Sequence, residues 1–285
     1  MLAVLVGLAG AFVYGGADFI GGVASRRISP IRVTAIGGLA GLVLLLAMFP
    51  VIGGQWSSQA VLLGAISGAT GAVAISLLYA CLAIGPMSIL SPLTALVSAV
   101  VPMLAGVLRG ERLGVVAYIA IGVALVAVVL VGFVPEKGAV RPSPKSLLMA
   151  IAAGALIGVF LILIDLTPDD SGVIPLIMNR AVNAIIMFGA VGVVWLLRRS
   201  KRPAAGGWRP GIVLAIIGGI VDASANVILL LGLRLGELTI QSVLTALYPA
   251  GTIILAAVVL KERIAPVQIV GLVLALAAAV LLALA

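Results

Sequence analysis

The sequence predicts an all-α, polytopic membrane protein whose ten transmembrane helices form two inverted five-helix repeats. Three observations carry that expectation: too few charges to face water, ten apolar runs of spanning length, and a match of the chain to itself at a fixed offset. Of 285 residues, 64% are hydrophobic and 9% charged, and the mean hydropathy is +1.38. A soluble domain carries roughly a quarter charged residues, so this composition calls for lipid as the outer solvent. Each helical span takes roughly 20 apolar residues, and about ten fit.

The first run, 2–24, has no basic leader and exceeds the apolar core of a signal peptide, so a retained helix is expected there. The second, 31–52, follows Arg26 and Arg27. The third, 60–82, carries Gly64, Gly68 and Gly71, a small-residue face that permits close helix approach and makes a homodimer an alternative to a monomer. The fourth, 87–108, contains Pro102, expected to kink it because proline removes a backbone bond. The fifth, 113–134, runs into the polar stretch Pro135–Lys145. The sixth and seventh, 146–166 and 172–197, flank Asp169 and Asp170, and a basic stretch, Arg198–Arg209, leads to the eighth, 210–232. The ninth, 238–260, contains Pro249 with the same expected kink, and the tenth is 265–285. No run alternates with period two, as a barrel strand does, and amides left unpaired in hydrocarbon leave the helix as the remaining solution.

The mid-chain stretch suggests a first repeat over 1–137, a linker over 138–145 and a second repeat over 146–285. Sliding the chain by 151 residues lays 68–134 over 219–285 without a gap. Ser91-Pro-Leu-Thr-Ala-Leu96 then meets Ser242-Val-Leu-Thr-Ala-Leu247, Gly85 meets Gly236, and Glu111-Arg112 meets Glu262-Arg263. The start of each half agrees more loosely, Tyr14-Gly15 resembling Ile157-Gly158. Five spans reverse the chain, so the halves are expected to be oppositely oriented. Charge asks for the same reversal. Of seventeen Lys and Arg, thirteen fall around the loops after runs 1, 3, 5, 7 and 9, and only Arg109, Arg112 and Arg234 in the loops after runs 2, 4, 6 and 8. Cytoplasmic loops are Lys/Arg-rich, which places the odd loops in the cytoplasm and both termini outside. Inverted repeats of this kind are characteristic of carriers with a site near the midplane.

Composition also excludes. There is no histidine, and Cys81 is the only cysteine, so intramolecular disulfides, Cys/His metal sites and His-activated nucleophiles are out. The net charge of +8 sits in loop clusters rather than in a basic stripe interleaved with aromatics, so no nucleic-acid partner is expected. No cofactor or metal is expected, and no ATP-binding motif is present.

The Pro-Leu-Thr region of run 4 followed by Arg109-Gly-Glu-Arg-Leu113, its second copy Leu244–Leu247 through Lys261-Glu-Arg-Ile264, and the opening Tyr14-Gly-Gly-Ala-Asp-Phe-Ile-Gly21 resemble the EamA-like family of the drug/metabolite transporter superfamily. The resemblance covers nearly the whole chain. It implies a secondary transporter rather than an enzyme, often an efflux carrier of amino acids or other small metabolites, working by alternating access in a cell membrane. A prokaryotic plasma membrane suits it. Many relatives are drawn with both termini in the cytoplasm, whereas the charges here argue the reverse. The rival readings are a sugar or phosphorylated-metabolite exchanger, an intramembrane enzyme and a membrane scaffold.

An ionisable side chain at membrane depth costs about 2.5–3.5 kcal/mol on insertion scales and is a functional candidate by default. At roughly 1.5 Å per residue, Arg180 lies about 12 Å from the outer end of its run and Asp222 about 15 Å from its own, so antiparallel neighbours would bring them together. Asn179 and Asn183 stand one turn apart, and Asn226 one turn from Asp222. One reading gives Arg180 a substrate carboxylate, with Asp222 and the amides binding an amine or relaying a proton. The other makes the pair a packing device. Asp18 is a further candidate, or pairs with Arg26 or Arg27 at the interface. Asp165 is close enough to its run's outer end to be interfacial. Tyr79, Thr94, Gln241, Ser242, Thr245 and Tyr248 are candidates for hydrogen bonds to a central cavity. Glu111-Arg112 and Glu262-Arg263 suggest a shared structural role, capping the helix that follows or bridging to a neighbouring loop.

Overall fold

The computed structural model describes residues 1–25, 27–84, 87–132, 142–198, 209–259, 261 and 264–284. They form eleven α-helices: α1 Leu2–Ser25, α2 Pro30–Ile52, α3 Ser58–Ile84, α4 Met87–Leu108, α5 Val115–Gly132, α6 Pro144–Asp165, α7 Ile174–Arg198, α8 Arg209–Leu235, α9 Leu238–Thr245, α10 Tyr248–Val259 and α11 Pro266–Leu284. Among the described residues seven segments are long and apolar enough to cross a membrane, one of them Leu238–Val259, which spans α9 and α10; three shorter apolar helices bring the apolar helical segments to ten.

The ninth span departs from expectation. A continuous helix with Pro249 inside it was the sequence's suggestion, but the chain forms two helices separated at Ala246 and Leu247, and Pro249 stands in the first turn of α10. The physical reason is local. A proline ring collides with the carbonyl four residues back, here that of Thr245, the last residue of α9. In a first turn its missing N–H costs nothing. Pro102, by contrast, lies inside α4.

Prolines and serines also set helix starts. Pro144 opens α6 behind Ser143, whose hydroxyl accepts the Ser146 N–H at 3.1 Å, satisfying an amide that the helix leaves free. Pro30 opens α2 behind an extended Ser29.

The two halves are interlocked rather than side by side. Each of α1 and α2 packs chiefly on helices of the second half: α1 on α8 and α10, α2 on α8 and α7. Correspondingly, α6 packs on α3 and α4, and α7 on α3. Three of the large contacts join equivalent elements to one another: the α2–α7 contact already named, α4 with α9, and α5 with α11. Glycine permits these approaches. A β-carbon on Gly15 would stand 2.6 Å from the Tyr248 carbonyl oxygen and 2.7 Å from the Thr252 nitrogen, so α1 and α10 meet backbone to backbone. Gly64 and Gly68 of α3 are taken up in the same way against Pro175 and Asn179 of α7. The α3 face suggested for dimerisation is therefore used within the molecule, because small residues there let α7 close in.

The loops joining α2 to α3, α4 to α5, α6 to α7 and α8 to α9 meet at one end. Gly53 and Gly54 at φ 74° and 146°, and Gly172 at φ 51°, adopt conformations that side chains disfavour. They let two loops touch, with the Gln55 N–H donating to the Asp170 carbonyl at 2.8 Å. Arg234 donates to the Thr167 carbonyl and hydroxyl at 2.6 Å each, to the Pro168 carbonyl at 2.9 Å and to the Asp169 carboxylate at 3.0 Å. Arg109 pairs with Asp165 at 2.5 Å.

Candidate functional site

The deep charges converge where α1, α2, α7 and α8 pack. α1 and α8 run antiparallel: a β-carbon on Gly10 would meet Ile228, one on Gly16 would meet Val221, and one on Gly218 would meet Ile20. That register sets Asp222 at the level of the turn between Tyr14 and Asp18. From the other side Arg180 of α7 reaches Asp222, Nη2 to Oδ2 at 2.5 Å. The groove for its aliphatic stem is Gly41 of α2, where a β-carbon would stand 3.6 Å from the Arg180 Cδ. The pair is not sealed. The Arg180 side chain is 12% exposed and that of Asp222 33%, so the carboxylate keeps a face available to solvent or solute.

Asp18 and Tyr14 complete the group. Both lie close enough to Asp222 to feel its charge, and Tyr14 feels Arg180 as well. Among the described residues Asp18 forms no ion pair, so the alternative pairing with Arg27 is not made; Arg26 lies outside the described residues. Two carboxylates thus lie at this level, one of them paired with the Arg180 guanidinium.

Asp18 is exposed, and the helix geometry explains how. Val4, Gly7, Ala11, Gly15, Asp18 and Gly22 recur every three or four residues and so share one face of α1. The first four are buried, Gly7 against Gln241 and Leu244 of α9, Gly15 against α10. Beyond Asp18 the same face opens: nothing stands within 4 Å of where the β-carbons of Gly21 and Gly22 would be. The inner side of α1 is therefore plugged at its start and open at its end, with Asp18 at the boundary. The counterpart helix α6 shows no such opening at the equivalent level, where Leu161 is 3% exposed. A separate cavity of about 410 Å³, lined by Ser58, Gln59, Leu62, Leu63 and Leu166, is peripheral and away from these charges.

The other candidates distribute differently. Asn226 donates to the backbone carbonyl of Asp222 at 2.8 Å, steadying α8 without neutralising the carboxylate. Asn183 is buried between Gly38 of α2 and Gly71 of α3, one turn from Arg180. Asn179 turns away and donates to the Ser67 hydroxyl of α3 at 2.8 Å. Thr94 lies elsewhere, its hydroxyl occupied by the carbonyls of Leu90 and Ala150 at 2.9 and 3.2 Å, so it joins α4 to α6. Gln241 is also remote: its amide donates to the Ala3 carbonyl at 2.9 Å, while its Oε1 is buried without a partner among the described residues. Ser242 donates to the Thr239 carbonyl at 2.9 Å. Thr245 and Tyr248 flank the break in the ninth span, and the Tyr79 side chain lies outside the described residues.

One contribution was not legible beforehand, and one of two alternatives is decided. Tyr14 belongs with Asp18, one turn away, and helical spacing from Asp18 was the available signal. Of the two roles expected for Glu111, it bridges to a neighbouring loop end rather than capping the helix that follows it. Its two carboxylate oxygens accept the Leu238 and Thr239 N–H groups of α9 at 2.8 and 3.1 Å, far along the chain. Glu262 and Arg263 lie outside the described residues. Beside the Glu111 carboxylate stands Glu237. Partial burial, the negative charge of Glu111 and a hydrogen bond between the two hold its carboxyl above the usual 4.5.

The comparisons with known proteins agree with this architecture. No curated protein sequence matches the chain. A solved structure, described only as the crystal structure of a protein, superposes over 100% of this chain and 99% of its own with a TM-score of 0.76 at 17% identity, a likeness of fold. The sequence profile of the EamA-like transporter family matches twice, over residues 1–133 and again over 144–284. With both halves of the interlocked bundle matched, the chain belongs to the EamA-like transporter family and is a multi-pass membrane protein of the drug/metabolite transporter type.

Proposed function

We propose that this protein is a secondary carrier that exports small zwitterionic metabolites such as amino acids, with Arg180 holding the solute's carboxylate and Asp222 and Asp18 its amine. Alternating access takes place between two oppositely inserted halves, and a proton occupies an aspartate when solute does not. The carrying observation is the Arg180–Asp222 pair: a guanidinium and a carboxylate at 2.5 Å, partly exposed, with a second carboxylate beside them and an open face leading away along α1. A guanidinium matches a carboxylate in two parallel hydrogen bonds, and two aspartates suit an ammonium. A lone deep cation argues against a phosphorylated dianion. The matched packing of α1 on α8 and α6 on α3 supports the oppositely inserted halves.

The test is counterflow of labelled amino acids in proteoliposomes, since a carrier, unlike an enzyme or scaffold, exchanges solute across an intact bilayer. Wild-type protein is expected to exchange at least one class. Arg180→Gln is expected to lower exchange by roughly tenfold or more, the worth of a charged hydrogen bond. Asp222→Asn with unchanged exchange and unchanged pH dependence would remove the proton from the scheme, and exchange indifferent to Arg180→Gln would remove the site.

A further inference from the structure

We propose that Glu111 is the latch of a gate at the end where the loops α2–α3, α4–α5, α6–α7 and α8–α9 meet, and that the moving part it holds is α9. The purpose of such a gate rests on the transport reading above; its mechanics rest on four observations. First, α9 is a separate eight-residue helix, disconnected from α10 at Ala246 and Leu247, so it can tilt without carrying α10 along.

Second, α9 is the plug. Its Gln241 and Leu244 fill the space over Gly7, and Val4 shares a core cluster with Val243 and Leu244. This is the stretch of the inner α1 face that is closed, whereas beyond Asp18 the face is open. Displacing α9 therefore uncovers Val4 and Gly7 at this end of the face and leaves the contact of Gly15 with α10 as the wall between them and Asp18.

Third, the N-terminus of α9 is tied to the other half of the molecule by Glu111, at 2.8 and 3.1 Å to two successive backbone N–H groups. A carboxylate is the partner that exposed helix amides and the positive end of the helix dipole favour. Glu237, at the N-cap position itself, makes no side-chain cap bond, so the cap comes from outside the helix. Gly106 makes room for it: a β-carbon there would stand 2.5 Å from the Thr239 hydroxyl and 2.7 Å from the Glu111 carboxyl carbon.

Fourth, the closed position is imperfectly satisfied. The Gln241 amide donates to Ala3, but its Oε1 is buried against Gly7 and Gly232 with no hydrogen-bond donor among the described residues. A buried orphan acceptor works against the state that contains it, so the plug needs a latch. Arg234 and Arg109 tie neighbouring loops at the same end to one another; α9 is held by Glu111 at its N-terminal amides and by side-chain bonds from Thr239, Gln241 and Ser242 to the Met103, Ala3 and Ala99 carbonyls, of which the Glu111 bonds are the ones made by a charged group.

The experiment places single cysteines in full-length protein carrying Cys81→Ser, in permeabilised membranes so that both faces are reached. A charged, membrane-impermeant maleimide reads accessibility at Val4→Cys, under the plug, and at Gly22→Cys, on the open part of the face. With Glu111 intact, Gly22→Cys is expected to label and Val4→Cys to stay protected. Adding Glu111→Gln is expected to raise labelling at Val4→Cys several-fold and lower it at Gly22→Cys, as the population shifts. Gly106→Ala, which displaces the latch while leaving its charge, is expected to do the same. Folded Glu111→Gln and Gly106→Ala proteins, monodisperse on gel filtration, with Val4→Cys still protected would overturn the proposal. Labelling needs no transported solute, so failed counterflow with shifted labelling would sink the transport reading alone.

Discussion

Arg180 and Asp222 each carry a cost that the other offsets, and the balance between them sets what a substitution does. A deep charge left alone is expensive in hydrocarbon, and breaking a buried pair from one side typically costs about 3–5 kcal/mol. Because Asp222 is a third exposed, solvent screens part of that. Asp222→Asn is expected to destabilise by roughly 1–3 kcal/mol, read as a lower Tm in detergent. Arg180→Met combined with Asp222→Leu is expected to recover most of that stability while abolishing exchange. A double variant as unstable as the single would show that the pair's role is packing. Glu237 gives a pH signature outside the spans. Its folded carboxyl is held above 4.5 by partial burial and by Glu111, so the folded state binds that proton more tightly than the unfolded chain. The stability it contributes is full below 4.5 and is lost as pH rises through the folded value. Thermal unfolding between about pH 4 and pH 8 should show this loss in the native protein and its absence in Glu237→Gln.

At the scale of the element, α1 is a helix with two different halves written on one face. Gly15 sits where α10 presses its backbone against α1, and Gly22 where nothing does. Gly15→Ala must push two helices apart, and overpacking of this kind costs about 1–3 kcal/mol. Gly22→Ala meets no neighbour and gains helix propensity, worth roughly 0.5–1 kcal/mol. Opposite shifts in Tm are therefore expected for the same chemical change seven residues apart. Equal shifts would mean that the open face is not open. The break in the ninth span belongs to this scale too. Pro249 was visible in the sequence, but its consequence was read as a kink inside one helix. Which of its two local meanings applies depends on whether α9 has something else to hold its free ends. Glu111 and the contact with α1 supply that, from elsewhere in the chain.

For the whole molecule, interlocking matters more than the count of spans. Since α1 and α2 pack on α8, and α6 and α7 on α3, neither half buries its faces alone. Expressed separately, 1–137 and 146–285 are expected to aggregate or to need each other, and co-expression should restore a folded complex that co-purifies. Independent folding of either half would contradict the packing. Orientation is the second expectation at this scale. Reporter fusions at 141 and 205 should report the cytoplasm and fusions at 111 and 237 the opposite face, following the skew of Lys and Arg.

Lipid as the outer solvent, helical spans and a doubled architecture were all determined by the sequence alone, because each depends on composition and periodicity along a segment. The presence of Arg180 and Asp222 at similar depth belonged to the same class of inference, since rise per residue measures depth. Lateral placement belonged to the tertiary structure. Periodicity says that Asn179, Thr94 and Gln241 lie on some face of a helix, but not whether that face meets a carboxylate, a carbonyl or a neighbouring glycine. Only packing turned Asn179 toward Ser67, set Asp18 at the level of Asp222, and brought Glu111 to the amides of Leu238 and Thr239. Hydrophobic patterning in lipid identifies helices without saying which helix adjoins which, because apolar faces are interchangeable there; the small residues and polar contacts that choose between neighbours act only once the helices have met.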